Sequence, residues 1–393
     1  MFKIYINYFL FLLFAICSTL IGIPSGIIFL LLLLILIYER SNNLLLIFND
    51  KLFIGILASF FIGYLNSLLY AGFRLDQLLR FIQHLTGVFL GWMTACKYKN
   101  QSDLKHRYIW ICFIFLMVMQ IVAKYLLLEI NLQILRIFTA FFAVLIVIDT
   151  MKKGKSALVI TFILMAALLA AYKSKTQALL PMIAYLIMQF TKTKKITFFS
   201  SMKFSAAIVI LLLGILGMFY VVMPSRFNDI FSWEQSVSTL ARLSLFSASV
   251  LALLERPWLG HGPIGFNSPE LFKKHYQDSE LLQNLINEGL TRSHAYSGVG
   301  ASYSPGTHFM YTDILVSYGI ISGIFLILMI YKSFIYLKFI QSPIPIAALI
   351  TIIFSGLSWQ YSSTEYGMGM LIFAFVALRQ EHMRIKSLSH ANG

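Results

Sequence analysis

His308 is the side chain best suited to proton transfer. It follows the break Ser304-Pro305-Gly306-Thr307 and stands at the mouth of an apolar run. An imidazole with an ordinary pKa of about 6.5 can take a proton from a hydroxyl near neutral pH. Two other places offer cations. Lys173 and Lys175 lie in the tight turn Tyr172-Lys173-Ser174-Lys175-Thr176-Gln177 between two apolar runs. A lysine there either presents its charge to a phosphate arriving from the lipid side or snorkels to the headgroups. Arg242, in Ala241-Arg242-Leu243-Ser244, has mostly apolar or small neighbours and is either a loop ion pair or an anion clamp. A fourth cluster, Glu255-Arg256-Pro257-Trp258-Leu259-Gly260-His261-Gly262-Pro263, reads as architectural. Its prolines and glycines break one helix and let backbone approach another surface, and His261 reads as structural rather than catalytic.

The elements that carry these residues are membrane helices. Of 393 residues, 59% are hydrophobic and 12% charged, against about a quarter charged in soluble domains, which excludes a soluble enzyme. Apolar runs of bilayer-crossing character lie near 4–21, 24–38, 52–70, 78–96, 108–128, 132–150, 157–172, 177–191, 204–223, 309–331, 343–358 and 366–379. The sequence thus predicts an all-α polytopic membrane protein of about 12 spans. The first run is read as the first arm of an uncleaved hairpin, since it lacks a small-residue cleavage pattern and a second apolar run follows at once. Cys17, Cys96 and Cys112 lie in or beside apolar stretches and form no disulfide framework or metal cluster.

The net charge of +15 acts as a topology signal rather than as a nucleic-acid signal. Lysine and arginine concentrate in one set of short loops: Arg40 and Lys51, Lys97 to Arg107, Lys152 to Lys155, Lys192 to Lys203, and the tail. The positive-inside rule puts these loops and both termini in the cytoplasm. Residues 1–223 then hold spans 1–9, residues 224–307 form a large, partly helical outer cap, and residues 308–393 hold spans 10–12 and a cytoplasmic tail. The cap mixes seven acids with six bases and carries Trp233, Trp258, Phe266 and Tyr276 for burial. Stretches 234–255 and 269–289 read as its amphipathic helices. Phosphate-loop, dinucleotide, zinc-protease and serine-elbow motifs are all missing, as is a DxD pair that would hold a divalent metal at a diphosphate.

Taken in order, the four clusters resemble the O-antigen ligase/O-antigen polymerase superfamily of bacterial envelope glycosyltransferases, over residues 170–325. Ser174-Lys175-Thr176 resembles its Ser-basic-small motif, with Leu179 at the right distance. Arg242 resembles its loop arginine, Arg256 to Gly262 its RPxxGxG turn, and His308 to Gly319 its histidine-to-glycine spacing, with Gly323 following. The chain departs at Phe309, where the family often has Asn, at Thr312, where it has Leu, and at Lys175, where the ligase branch has Arg.

The resemblance implies a GT-C-like enzyme of the bacterial inner membrane, with its active site facing the periplasm. Its implied donor is an undecaprenyl-diphosphate-linked glycan, and its implied acceptor a lipid-linked glycan or lipid A-core. It implies His308 as base and Lys175 and Arg242 as diphosphate ligands, with Lys173, Arg256, His261 and Tyr311 in support and with no metal or cofactor. Partners are membrane lipids and not nucleic acid. Asp313 lies about 500° round a helix from His308 and so on another face; Tyr311 or Tyr296 is an equally good partner for the histidine. Lys175 and Phe309 favour a polymerase over a ligase. A polysaccharide or lipid transporter is the competing class, disfavoured by the single large cap and the lack of a repeat.

Overall fold

The computed structural model describes residues 51–98, 106–125, 132–153, 157–172, 175–192, 237–265, 268–277, 310–337, 342–356 and 364–391. Among them every regular element is a helix. In chain order these are α1 (Lys51–Ala71), α2 (Leu75–Lys97), α3 (His106–Tyr125), α4 (Leu132–Lys152), α5 (Ala157–Tyr172) and α6 (Lys175–Lys192). Then come α7 (Val237–Glu255), α8 (Pro269–Phe272) running into the wider π-helical turn Lys273–Gln277, α9 (Met310–Leu337), α10 (Pro343–Ser355) and α11 (Thr364–Ala391).

Nine of the twelve predicted runs coincide with these helices; 4–21, 24–38 and 204–223 fall outside the described residues. By length and composition, α1 and α9 are long and apolar enough to cross a membrane. Two helices differ from the sequence reading in an informative way. The run at 309–331 continues to Leu337 but is interrupted at Gly319, whose φ of 75° and ψ of −178° are not helical. The run at 366–379 continues as α11 into a charged tail, since Arg379 to Lys386 offer good helix formers once the apolar stretch ends.

The chain divides into two compact units. One holds α1, α2, nearly all of α7, and α8 to α11; the other holds α3, most of α4, α5 and α6. In the first, α11 is buried on all sides from Gly367 to Leu378, as expected of a central helix. It meets α2 where Gly91 faces the backbone of Gly369 so closely that a side chain on Gly91 would overlap the Gly369 carbonyl. Such small-residue crossings bring helices together where lipid offers no hydrophobic drive. In the second unit, α4 is buried from Ala143 to Thr150, and the Gln120 amide of α3 donates to the Thr139 hydroxyl of α4 at 2.7 Å.

Large apolar side chains point outward along α1 (Phe61, Ile62, Leu65), α3 (Ile111, Ile114, Val118) and α9 (Ile324, Ile327). Water would penalise each by about 25 cal/mol per Å² of apolar surface, whereas lipid would not. The stretch predicted as an amphipathic cap helix, 234–255, forms α7 from Val237, but its outer side is not polar. It buries Leu245, Ala248, Ser249 and Ala252, a stripe at helical spacing, and exposes Phe246, Leu251 and Leu254. Of the second predicted cap helix, residues 269–277 are a short helix and π turn, and 278–289 lie outside the described residues.

Candidate active site

α9 starts two residues past His308, and its first nine residues form a separate half-helix, Met310 to Tyr318, fixed at both ends. At the start, the Met310 amide donates to the Gly356 carbonyl at 2.9 Å. There too the Tyr311 hydroxyl is shared between the carbonyls of Ile352 and Ile353, at 3.2 and 3.0 Å. Tyr311 thus ties the half-helix to α10. At the other end the helix breaks at Gly319, in a region of φ/ψ space open essentially only to glycine.

The break leaves backbone groups that a continuous helix would pair with each other, and the Arg256 to Gly265 turn takes them up. The amides of His261 and Gly262 donate to the carbonyls of Val316 and Ser317 at 2.8 and 2.9 Å. In return the Ile320 amide donates to the Pro257 carbonyl at 2.7 Å. This exchange explains the glycines. A Cβ on Gly260, where φ is +70°, would lie 2.5 Å from the Ser317 carbonyl group, and one on Gly319 would overlap the Trp258 carbonyl. Backbone can meet backbone here only without side chains between them.

α1 supports the junction from the side: the Asn66 amide donates to the Gly260 carbonyl at 3.3 Å, and Ser67, hydrogen-bonded to Gln77, packs against Gly262. Tyr318 stacks on Phe60 with ring centroids 4.1 Å apart, and its hydroxyl lies 2.7 Å from Nδ1 of His84 on α2. Sequence reading passed over this layer. Its signal was present: Gln77, Arg80 and His84 are buried and fall at i, i+3 and i+7, on one face of α2.

The remaining predicted residues divide by place. His308 and Lys173 lie outside the described residues. Lys175 is the first residue of α6 in the second unit; Arg242 sits in the first half of α7 in the first. The Arg256 guanidinium lies 4.3 Å over the Tyr70 ring. Glu255 binds Lys274, and the His275 ring nitrogen lies 3.2 Å from its other oxygen. Burial pushes the Glu255 carboxyl up, but these two partners outweigh it and hold it below the ordinary value.

His261 donates from Nε2 to the Ala252 carbonyl at 2.7 Å, tying the turn back to α7.

Residues 138–328 match the family model described as O-antigen ligase. This stretch belongs to the O-antigen ligase/polymerase superfamily. The matched stretch runs from within α4 to within α9 and contains Lys175, Arg242, the glycine turn and the half-helix. No curated protein matches the chain. The superfamily implies a glycosyltransferase-like membrane enzyme of bacterial envelope polysaccharide synthesis, a ligase or a polymerase acting on lipid-linked glycan. Within it, the RPxxGxG turn acquires a physical role in this chain, as the filler of the break that sets off the half-helix behind His308.

Proposed function

We propose that the chain is an O-antigen, or surface polysaccharide, polymerase of the inner membrane. In this reading about twelve helices span the bilayer, both termini are cytoplasmic, residues 224–307 cap the periplasmic face, and an undecaprenyl diphosphate carries the donor glycan. The observation that carries the transferase reading is the family match, which encloses Lys175, Arg242 and His308 in one stretch; Lys175 and Phe309, where the ligase branch has Arg and the family often has Asn, tilt it toward the polymerase.

The chemistry follows from those side chains. His308 takes the proton from an acceptor hydroxyl, whose oxygen attacks the anomeric carbon of the donor. The bond from that carbon to the diphosphate oxygen breaks, and its electron pair leaves with undecaprenyl diphosphate. Negative charge grows on that leaving group in the transition state, where fixed cations act most strongly. Lys175 and Arg242 supply them, with Lys173 and Arg256 near in sequence as further cations. The cap excludes water that would otherwise hydrolyse the donor. Lys175→Arg should retain most of the transfer rate and Lys175→Ala should lose about 10- to 100-fold, the worth of one charge-assisted contact. Equal rates in both variants, measured on lipid-linked glycan in membranes, would mean that Lys175 only snorkels.

A ligase is the second reading, favoured by the description of the matched family. It differs only in the acceptor, lipid A-core. A lipopolysaccharide gel of a deletion strain separates the two. A surviving single-repeat band without a ladder supports the polymerase. Loss of every O-antigen band with accumulation of lipid-linked polymer supports the ligase, and an unchanged ladder removes O-antigen as the product and points to capsule, exopolysaccharide or transport.

A further inference from the structure

We infer that the Arg256 to Gly265 turn is re-entrant, dipping into the outer leaflet so that the Trp258 indole sits among lipid acyl chains well below the membrane surface. The depth can be read from α1. Its 21 residues span roughly 31 Å at about 1.5 Å each, close to the hydrocarbon thickness of a bilayer, so its two ends mark the two boundaries. The Lys51 end, together with Lys97 of α2 and Lys332 of α9, marks the cytoplasmic side. The other end carries the Arg74–Asp76 ion pair at 2.8 Å and, over Tyr70, the Arg256 guanidinium, all groups at home among headgroups.

The turn does not stay at that level. A Cβ on Gly63 would lie 3.2 Å from the Leu259 carbonyl and 2.9 Å from the Tyr318 ring. Gly63 is eight residues before Ala71, so Leu259 and Gly319 lie about 12 Å below the outer end of α1. Arg256 sends its head upward to Tyr70 while its stem follows the chain down, as a snorkelling arginine does.

Non-helical backbone survives at this depth only when its polar groups are satisfied within the protein. Five of the turn's eight amides meet that demand. The amides of Arg256, Gly260, His261, Gly262 and Gly265 all donate to carbonyls, two of them on α9, and the Pro257 and Gly260 carbonyls accept from Ile320 and Asn66. Gly260, Gly262, Pro263 and Ile264 are buried, whereas Trp258 is 66% exposed at the height of the outward Phe61, Ile62 and Leu65 of α1. An exposed indole at that height meets lipid. A substrate carried on a lipid in that leaflet would reach the junction from the side; this consequence rests on the transferase reading, while the depth of the turn does not.

The test needs no activity, so its failure leaves the transferase reading standing. Wild type and Trp258→Phe are reconstituted in phosphatidylcholine vesicles, and the difference of their emission spectra isolates Trp258. The difference spectrum should be blue-shifted, strongly quenched by phosphatidylcholine brominated in the distal half of its acyl chains, and untouched by aqueous iodide. Quenching by iodide, or by neither agent, overturns the inference, the latter because the indole would then be covered by protein. As a second measurement, with the native cysteines replaced, Lys273→Cys should react with a charged thiol reagent from outside and Trp258→Cys should not. Comparable labelling of both would also overturn it.

Discussion

His308→Ala is expected to abolish glycan transfer, by about 10²- to 10⁴-fold, the usual worth of a positioned general base. The variant should remain folded and in the membrane, because the groups that fix the neighbouring half-helix are Met310, Tyr311 and the backbone around Gly319, none of which the substitution touches. His261→Ala should behave differently. That imidazole is engaged by the Ala252 carbonyl, so its loss costs about one buried hydrogen bond, roughly 1–3 kcal/mol of stability, and lowers the amount of protein more than the rate per molecule. Transfer rate per folded molecule, set beside thermal stability for each variant, separates the two. Equal loss of rate in both would remove the distinction between a catalytic and an architectural histidine.

Gly319→Ala should be among the most damaging single-methyl changes at the described glycines. Its backbone conformation costs a non-glycine residue about 1–3 kcal/mol by itself. The added Cβ would also overlap the Trp258 carbonyl and press on the Leu259 amide. Relief requires the turn to lift from α9, which breaks the bonds of His261, Gly262 and Ile320 and strands their partners in a buried place. We expect little folded protein in the membrane and no activity from what remains. Gly323→Ala is the control: its Cβ would meet only the end of the Leu315 side chain, which can rotate away. Similar thermal stabilities for the two variants would show that the junction does not hold the fold together.

How far the sequence could be read depended on the range of the interaction involved. Apolar runs are local, and nine of them mark helices, two of which, α9 and α11, run on past the expected ends. The prolines and glycines of the turn were legible as architecture, because φ preferences belong to single residues. What the turn docks on was not, since Gly260 meets Ser317 more than fifty positions away and nothing local to either announces the other. Gly319 stands in an apolar run that reads as unbroken, because a lone glycine is tolerated in a membrane helix. The buried His84–Tyr318 contact was hidden similarly: averaging hydropathy over a span dilutes the polar face of Gln77, Arg80 and His84. For α7, amphipathicity implied a polar outer face, and the exposed Phe246, Leu251 and Leu254 show otherwise. Charges in loops indicate sidedness, not which cations share a substrate. The grouping of Lys175, Arg242 and His308 into one site therefore rests on the superfamily and on the chemistry they would do together.

The most direct test is transfer by the purified protein in vesicles, with an undecaprenyl-diphosphate-linked oligosaccharide labelled in the sugar as the only substrate. Labelled glycan should lengthen by whole donor units, with one undecaprenyl diphosphate released per addition, and the His308→Ala protein should do neither. Label that crosses the bilayer without changing length, or elongation that survives His308→Ala, would contradict the proposed mechanism.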